Sequence, residues 1–317
     1  MLDSDKRDDD WARSVLERLA LEALVEQRRR RRWGIFFKFV GFGFLGAVIY
    51  LMGDWGASAE KRAEGRSYAA MVSVEGVIDS GSEASAGQVI ASLQEAFADP
   101  AVRGIVLRVN SPGGSPVQAG MINDEIARLR GMRPDLKVVA VVEDVCASGG
   151  YYVAVAADSI YVDKASLIGS IGVLMDSFGF VGAMDKLGVE RRLLSAGESK
   201  GFLDPFSPQR ASHLAHAKVL LDDIHQQFIK VVRNGRGDRL KEIPEMFSGL
   251  VWTGERSIEL GLADDYGTVE SVARNVFNAE EVKDFTQRRN FAERFAQQFG
   301  ANVAESVMSS LGRVSLR

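Results

Sequence analysis

The sequence predicts an α/β fold preceded by one membrane-spanning helix. Three features support this interpretation: an apolar run at 33–53, short apolar runs that alternate with amphipathic segments from residue 68 onward, and glycine-rich turns where two of those runs end. Alternating strands and helices are typical of α/β layers with a largely parallel sheet. With 317 residues, of which 46% are hydrophobic, the chain is long enough to bury a sizeable core.

The composition excludes several classes of protein. A single cysteine, Cys146, can form neither an intramolecular disulfide nor a cysteine-rich zinc module. The net charge of -4 argues against binding along a nucleic-acid backbone, and only 3 histidines argue against a large histidine metal site. We therefore expect no metal, no cofactor and no nucleic-acid partner.

The N-terminal part predicts a membrane anchor. Residues 1–32 are polar and end in a block of arginines, whereas the run 33–53 carries one charge, Lys38. A helix of that length, at about 1.5 Å per residue, matches a hydrocarbon core about 30 Å thick. The arginine block predicts that 1–32 stays in the cytoplasm and that the chain beyond 53 crosses to the other side.

Two alternatives to an anchor are a buried core helix and a cleaved signal peptide. The sequence Ala57-Ser58-Ala59 has the small-residue pattern of a cleavage site. However, the polar segment 1–32 is longer than a signal peptide usually carries, and the asymmetry of charge at the two ends of the run is strong. Both observations favour the uncleaved anchor.

The segments after the anchor predict the elements of the body in order. Residues 54–67 are small and polar and predict a linker, after which a globular domain spans 68–275. Strands are predicted at 68–78, 104–109, 137–142 and 159–162, and helices at 88–98, 117–129, 151–157 and 214–232. Phenylalanines at 291, 295 and 299 repeat every four residues and predict a helical tail over 276–317.

Two glycine turns follow predicted strands. The first, NSPGGS at 110–115, is either a plain turn or a loop whose backbone N–H groups bind an anion or form part of an oxyanion hole. The second, CASGG at 146–150, places Ser148 at the start of a helix, where it is either a nucleophile or a helix N-cap. We expect Cys146 to be a small buried packing residue.

A serine nucleophile needs a base, and the sequence offers histidines or a lysine. His213, His216 and His225 lie on one predicted polar helix, where a solvated face is the simpler interpretation. Lys200 lies in SAGESKGF at 195–202, a loop of small residues. By sequence alone it is one surface lysine among many.

The motifs NSPGG, SGGYY, IGSIGV and SAGESKGFLDPF, in this order, resemble the signal peptide peptidase (SppA) family of serine proteases over about 68–273. The family fold is similar to those of ClpP and crotonase, which implies a ClpP/crotonase-like spiral of βαβ units. The resemblance implies a Ser-Lys dyad, with Ser148 as the nucleophile, Lys200 as the general base and Ser170 orienting the lysine.

The same resemblance implies an oxyanion hole formed by the N–H groups of Gly114 and Gly149, with Gly113 as a weaker candidate. It further implies a serine endopeptidase that degrades remnant signal peptides, anchored in the bacterial inner membrane with its catalytic domain outside the cytoplasm. Neighbouring subunits of a ring-shaped homo-oligomer are expected to complete each site. The alternatives are a non-catalytic peptide-binding scaffold of the same fold and an acyl-CoA enzyme of the crotonase type. Export argues against the second, because coenzyme A is cytoplasmic.

Overall fold

The computed structural model describes residues 31–47 and 67–288, in two units, Met1–Arg66 and Ser67–Arg317, which are described separately. In the first unit, residues 31–47 form a helix, α1, with exposed side chains. No helix within the described ranges is both long and apolar enough to cross a membrane. The rest of the predicted cytoplasmic segment, anchor and linker, and the tail from residue 289, lie outside the described residues.

The second unit alternates strands and helices, as predicted. The strands are β1 (Tyr68–Glu75), β2 (Val102–Ser111), β3 (Val138–Ala147), β4 (Ser159–Val162), β5 (Leu167–Gly169), β6 (Val251–Thr253), β7 (Asp265–Tyr266) and β8 (Val282–Asp284). The helices are α2 (Ala86–Ala98), α3 (Pro116–Met132), α4 (Gly149–Ala154), α5 (Val181–Leu187), α6 (Ala211–Arg236), α7 (Gly254–Glu259) and α8 (Val269–Asn275). A 3-10 turn follows α6 at Gly237–Arg239.

One largely parallel sheet organises this unit. Its strand order is β6-β5-β3-β2-β1-β8, and β4 pairs with both β3 and β7. In the centre, Val72 of β1 lies opposite Leu107 of β2, which lies opposite Ala140 of β3. Among the described strands, β6 is the one that pairs antiparallel. Strands buried on both faces need nearly continuous apolar runs, which is why β2 and β3 were recognisable in the sequence.

The sheet is covered on both faces, and this layering places the two glycine turns side by side. Leu93 of α2 and Ile126 of α3 are fully buried on one face, while Val272 of α8 is buried against the other. Parallel strands end at the same edge of a sheet, where α/β proteins place their ligands. Because Ser111 pairs with Cys146 near the ends of β2 and β3, the turns after these strands begin next to each other.

Several predicted boundaries differ from the structure, and two of these differences have a local physical reason. The first strand ends at Glu75 rather than at 78, because the chain turns at Gly76, which has a φ of 78°. The predicted helical tail, 276–317, begins instead with strand β8, in which Val282 pairs with Ala69 at the edge of the sheet. The phenylalanine periodicity that suggested a helix starts only at 291 and carries no information about 276–288.

Candidate active site

The candidate nucleophile, Ser148, lies between the end of β3 and the start of α4. Its φ of 51° and ψ of -122° are rare for a residue with a side chain, and such a conformation costs about 1–3 kcal/mol. Two backbone hydrogen bonds hold it: its N–H donates to the Gly169 carbonyl at 2.8 Å, and its carbonyl accepts from the Tyr152 N–H at 2.9 Å. This sharp strand-to-helix turn is similar to a nucleophile elbow, which projects a serine hydroxyl from the edge of a sheet.

The Ser148 hydroxyl does not cap helix α4. Ser148 occupies the N-cap position, but its side chain makes no capping hydrogen bond, so the N-cap interpretation is wrong. The residue is half-buried and lines a cleft of about 350 Å³ together with Tyr152, Ser170 and Phe228. A cleft of this size can hold part of a substrate. The hydroxyl of a serine in its wall is therefore accessible to a substrate side chain and its peptide bond.

Two consecutive glycines bring the turn after β2 against the Ser148 turn. Gly113 and Gly114 have φ values of 100° and 151°. A Cβ on Gly114 would lie 2.2 Å from the Ile78 carbonyl oxygen, and a Cβ on Gly113 would lie 2.6 Å from the Gly149 nitrogen. Neither Cβ fits unless the backbone moves, so the close approach of the two turns requires glycine at both positions.

The two amides predicted to form the oxyanion hole, those of Gly114 and Gly149, lie close to each other in these turns. Gly149 is the first residue of α4, where N–H groups have no partner within the helix, and a Cβ on it would lie 3.2 Å from the Gly114 nitrogen. The β-bridge at Gly114 uses the N–H of Ser115 and the carbonyl of Gly113, and the Gly114 N–H makes no hydrogen bond to any residue that the structure describes. The N–H of Gly113 donates to Ser111 Oγ at 3.1 Å and is therefore not a candidate donor.

Ser170 lies on the same cleft, directly after β5. It has a φ of 49°, and its N–H donates to the Leu250 carbonyl at 2.8 Å. Gly169, the last residue of β5, pairs with Ala147, the last residue of β3. The next residues along each strand, Ser170 and Ser148, are therefore neighbours at the edge of the sheet. The fold thus brings both serines to one cleft, and the role of Ser170 in orienting a lysine stays a prediction.

Lys200 is not among the described residues that line this cleft. It is exposed, in a turn closed by a hydrogen bond from its N–H to the Gly197 carbonyl at 3.1 Å. The turn lies against the start of α6, where the rings of Phe202 and His213 are 5.4 Å apart. Phe228, which lines the cleft, follows His213 along α6 by about 22 Å at about 1.5 Å per residue. Within one chain, the part of α6 that contacts the Lys200 turn and the part that lines the nucleophile's cleft are therefore about 22 Å apart along the helix.

Two aromatic side chains of the cleft were missed as site residues by the sequence analysis. The rings of Tyr152 and Phe228 are 5.1 Å apart, and the Asn123 side-chain amide donates to the Tyr152 carbonyl at 2.7 Å. Burial and the charge of Asp124 raise the pKa of Tyr152. The motif SGGYY contains Tyr152, but Phe228 occupies an ordinary apolar position of an amphipathic helix, and no sequence signal marks it.

The solvated face predicted for the histidines is wrong for His213, which is buried beneath the Lys200 turn. His225 is half-buried, with Nε2 3.2 Å from the Ile171 carbonyl oxygen. Among the described residues, no histidine lines the Ser148 cleft. Cys146 is fully buried, and burial raises the pKa of its thiol, which confirms the predicted packing role.

The sequence profile of peptidase family S49 matches residues 132–300, which is more than half of the chain. The chain belongs to peptidase family S49. The matched range contains Ser148, Ser170 and Lys200. This S49 peptidase is 29% identical, over 222 residues, to a putative signal peptide peptidase SppA of Enterococcus faecium, a match that covers 68% of this chain and 63% of that protein. The resemblance to the SppA family is thereby confirmed.

Two further proteins are similar to this chain, and the aligned region makes up a different share of each of them. The S49 peptidase is 44% identical over 185 residues to the Na(+)/H(+) antiporter NhaA of Brucella abortus, which covers 58% of this chain but 25% of that protein. A solved 1510-N membrane-bound stomatin-specific protease mutant, in complex with a substrate peptide, aligns with a TM-score of 0.48 and 14% identity over 74% of this chain and 98% of that one. The S49 peptidase spans less than two thirds of the length of the Enterococcus faecium and Brucella abortus relatives.

Proposed function

We propose that this S49 peptidase is a membrane-anchored serine endopeptidase that degrades remnant signal peptides with a dyad of Ser148 and Lys200. The observation that carries the proposal is the strained turn at Ser148, which lines a cleft beside the Gly114 and Gly149 amides, for which no hydrogen bond to another described residue is found. Strained backbone conformations of this kind cluster at active sites. The largely parallel α/β sheet accords with the ClpP/crotonase-like spiral that the resemblance implies.

In the proposed reaction, the neutral amine of Lys200 accepts the Ser148 proton as Oγ attacks the peptide carbonyl. The N–H groups of Gly114 and Gly149 stabilise the resulting oxyanion, which is typically worth about 3 kcal/mol per donor. The lysine then donates its proton to the leaving amine, and the C–N bond breaks. A water deprotonated by the same lysine hydrolyses the acyl-enzyme and regenerates the serine, while the Ser170 hydroxyl orients the amine.

We propose that a second copy of the chain completes each site within a ring-shaped homo-oligomer. The separation of the Lys200 turn from the Ser148 cleft along α6 supports this proposal, and so does the apolar surface of the segment 174–194. Its exposed large side chains are Leu174, Met175, Phe178, Phe180, Leu187, Val189, Leu193 and Leu194. Exposed apolar patches of this kind mark interaction surfaces in soluble domains. A head-to-tail neighbour that covers this segment would bring Lys200 of one copy to the cleft of the next.

The proposed anchor, 33–53, would hold the catalytic domain at the outer face of the bacterial inner membrane. The described part of this segment is helical and exposes Trp33, Phe36 and Phe37, and an arginine block precedes it. Remnant signal peptides are apolar and partition into the bilayer, so an anchored peptidase meets its substrate where the substrate accumulates.

Covalent labelling tests the nucleophile. The full chain in detergent is treated with a fluorophosphonate, and cleavage of a synthetic apolar signal peptide is measured in parallel. We expect labelling at Ser148 alone and loss of both signals in Ser148→Ala. Ser248→Ala is a matched control, because Ser248 also lines the cleft but donates its hydroxyl to the Glu245 carbonyl at 2.6 Å. Unchanged cleavage by Ser148→Ala would refute the assignment, and inactivity of the unmodified assembly would favour the scaffold alternative.

Complementation tests the shared site. Ser148→Ala and Lys200→Ala chains are co-expressed with different affinity tags, and assemblies that carry both tags are isolated. Each variant alone should be inactive, whereas mixed assemblies should recover about a quarter of the activity, because about a quarter of head-to-tail interfaces then join an intact serine to an intact lysine. Mixed assemblies with no activity would show that the dyad is not shared between copies.

A further inference from the structure

One aromatic side chain attaches the turn that carries Lys200 to helix α6. Phe202 lies two residues after Lys200, and its ring contacts the imidazoles of both His213 and His216, with centroids 5.4 and 5.6 Å apart. The ring planes are inclined by 55° for His213, a tilted arrangement, and by 73° for His216, an edge-to-face arrangement. The two histidines are three residues apart and share one face of α6. Aromatic rings in tilted or edge-to-face arrangements attract each other in addition to the effect of burying their surface.

A further contact between this turn and the start of α6 is made by an exposed side chain, that of the N-cap residue Arg210. The exposed Arg210 guanidinium donates to the Glu198 carbonyl at 3.1 Å. Farther along the chain, Phe206 stacks on Phe180 at 5.2 Å, next to α5 rather than on α6. Among the described ring contacts, those of Phe202 are the ones that join this turn to α6.

We propose that Phe202 is a positioning residue for the general base. Phe202 packs the turn 195–203 against the first turns of α6. Because α6 is a rigid helix, this contact fixes the position of the Lys200 backbone relative to it. The proposal rests on the proposed function, because it requires Lys200 to be the base. Geometry of this kind matters strongly for rate, since a misplacement of about 1 Å can reduce turnover about 100-fold.

The position of Phe202 separates this role from a general role in folding. Phe202 is half-buried and belongs to neither of the two buried apolar clusters that pack against the sheet. Its loss therefore leaves the described core contacts in place, and the midpoint of global unfolding should change little. The effect on turnover should be large by comparison, because only the lysine turn is released.

The test compares Phe202→Leu with the matched control Phe206→Leu, which removes a nearby ring whose described ring contacts are with Phe180 and Arg191 rather than with α6. In the full chain, we expect Phe202→Leu to lower kcat by about 10- to 30-fold with KM unchanged, because the amine is displaced but the cleft is not. Phe206→Leu should stay within about threefold, and Phe202→Tyr should restore most of kcat because it keeps the ring. Equal losses in Phe202→Leu and Phe206→Leu would overturn the proposal.

A double-mutant cycle with Lys200→Ala separates this inference from the proposed function. The substrate is an activated ester, which acylates the serine measurably without a base, and oligomer size is verified for every variant. Phe202→Leu should reduce activity only when Lys200 is present, because a positioning residue acts through the group it positions. The same loss in both backgrounds would contradict the positioning role. Full activity of Lys200→Ala would instead refute the dyad itself. If Phe202→Leu does not assemble, Phe202→Met supplies the same comparison.

Discussion

The substitution Gly114→Ala tests the oxyanion hole most directly. The added Cβ would lie 2.2 Å from the Ile78 carbonyl oxygen and 2.8 Å from the Ile78 nitrogen. Both neighbours are backbone atoms of a β-bridge, so they cannot rotate away as the end of a side chain would. To restore ordinary contact distances, the turn has to move by about 1 Å. The residue also has a φ of 151°, which side chains rarely allow.

The expected loss follows from the geometry of the donor. An oxyanion-hole N–H acts at about 2.7–3.1 Å from the oxyanion, so a shift of about 1 Å removes most of its contribution. Loss of one such donor lowers kcat by about 100- to 1,000-fold. KM should change much less, because the N–H binds the charge that develops in the transition state rather than the ground-state carbonyl.

The assay is peptide cleavage by the full chain, with Gly76→Ala as the matched control. Gly76 precedes the same bridge and has a φ of 78°, but a Cβ there would meet nothing within 4 Å. Gly76→Ala therefore introduces the same kind of backbone strain as Gly114→Ala, but without a steric clash. We expect both variants to lose stability in urea unfolding, and Gly114→Ala alone to lose kcat. If Gly114→Ala keeps kcat within about threefold of the control, the Gly114 N–H is not an oxyanion donor.

Two further predictions concern the buried support of α4 and α6. Burial alone would raise the pKa of Asp264, but the hydrogen bonds and charge of Arg236 outweigh it and hold that pKa below its usual value. The pair should therefore stabilise the fold fully above the ordinary carboxyl pKa of about 4 and lose this contribution as the pH falls through the lower folded value. Asp264→Asn should cost about 3 kcal/mol or more in urea unfolding at pH 7, because Arg236 is 1% exposed and would be left without a counter-charge; an unchanged unfolding midpoint would contradict this. Tyr151→Phe removes a buried hydrogen bond to the Leu262 carbonyl at 2.8 Å and should cost about 1–3 kcal/mol, measured in the same way; a cost near zero would mean that this bond does not secure α4.

The sequence was informative where one local rule decides the structure. Central strands such as β2 and β3 are buried on both faces, so their apolar runs were visible without any partner. The turns after them were equally visible, because close backbone approach demands Gly113 and Gly114. The juxtaposition of Ser148 with these glycines then follows from the parallel order of neighbouring strands, whose ends meet at one edge.

The sequence was uninformative where pairing alone decides the structure. Strands β6, β7 and β8 contain two or three residues each, too few to show a period of two. These short segments become strands because they pair with an open edge of the sheet. Val282 of β8, for example, pairs with Ala69 of β1. His213 was similarly misjudged, because the turn that buries it precedes α6 and has no periodicity of its own.

The placement of Lys200 has a consequence for how activity would be controlled. In a single chain the Ser148 turn is already formed, since its strain is held by backbone bonds to Gly169 and Tyr152 within one sheet edge. The lysine is itself exposed and follows shortly after the segment 174–194, whose large apolar side chains are exposed in the single chain. If the proposed dyad is shared between copies, as proposed above, an isolated subunit would have its nucleophile and its proposed oxyanion donors in place but no base. A neighbouring copy that buries the apolar segment would stabilise the assembly and at the same time supply the missing base. Proteolysis would then begin only in assembled oligomers.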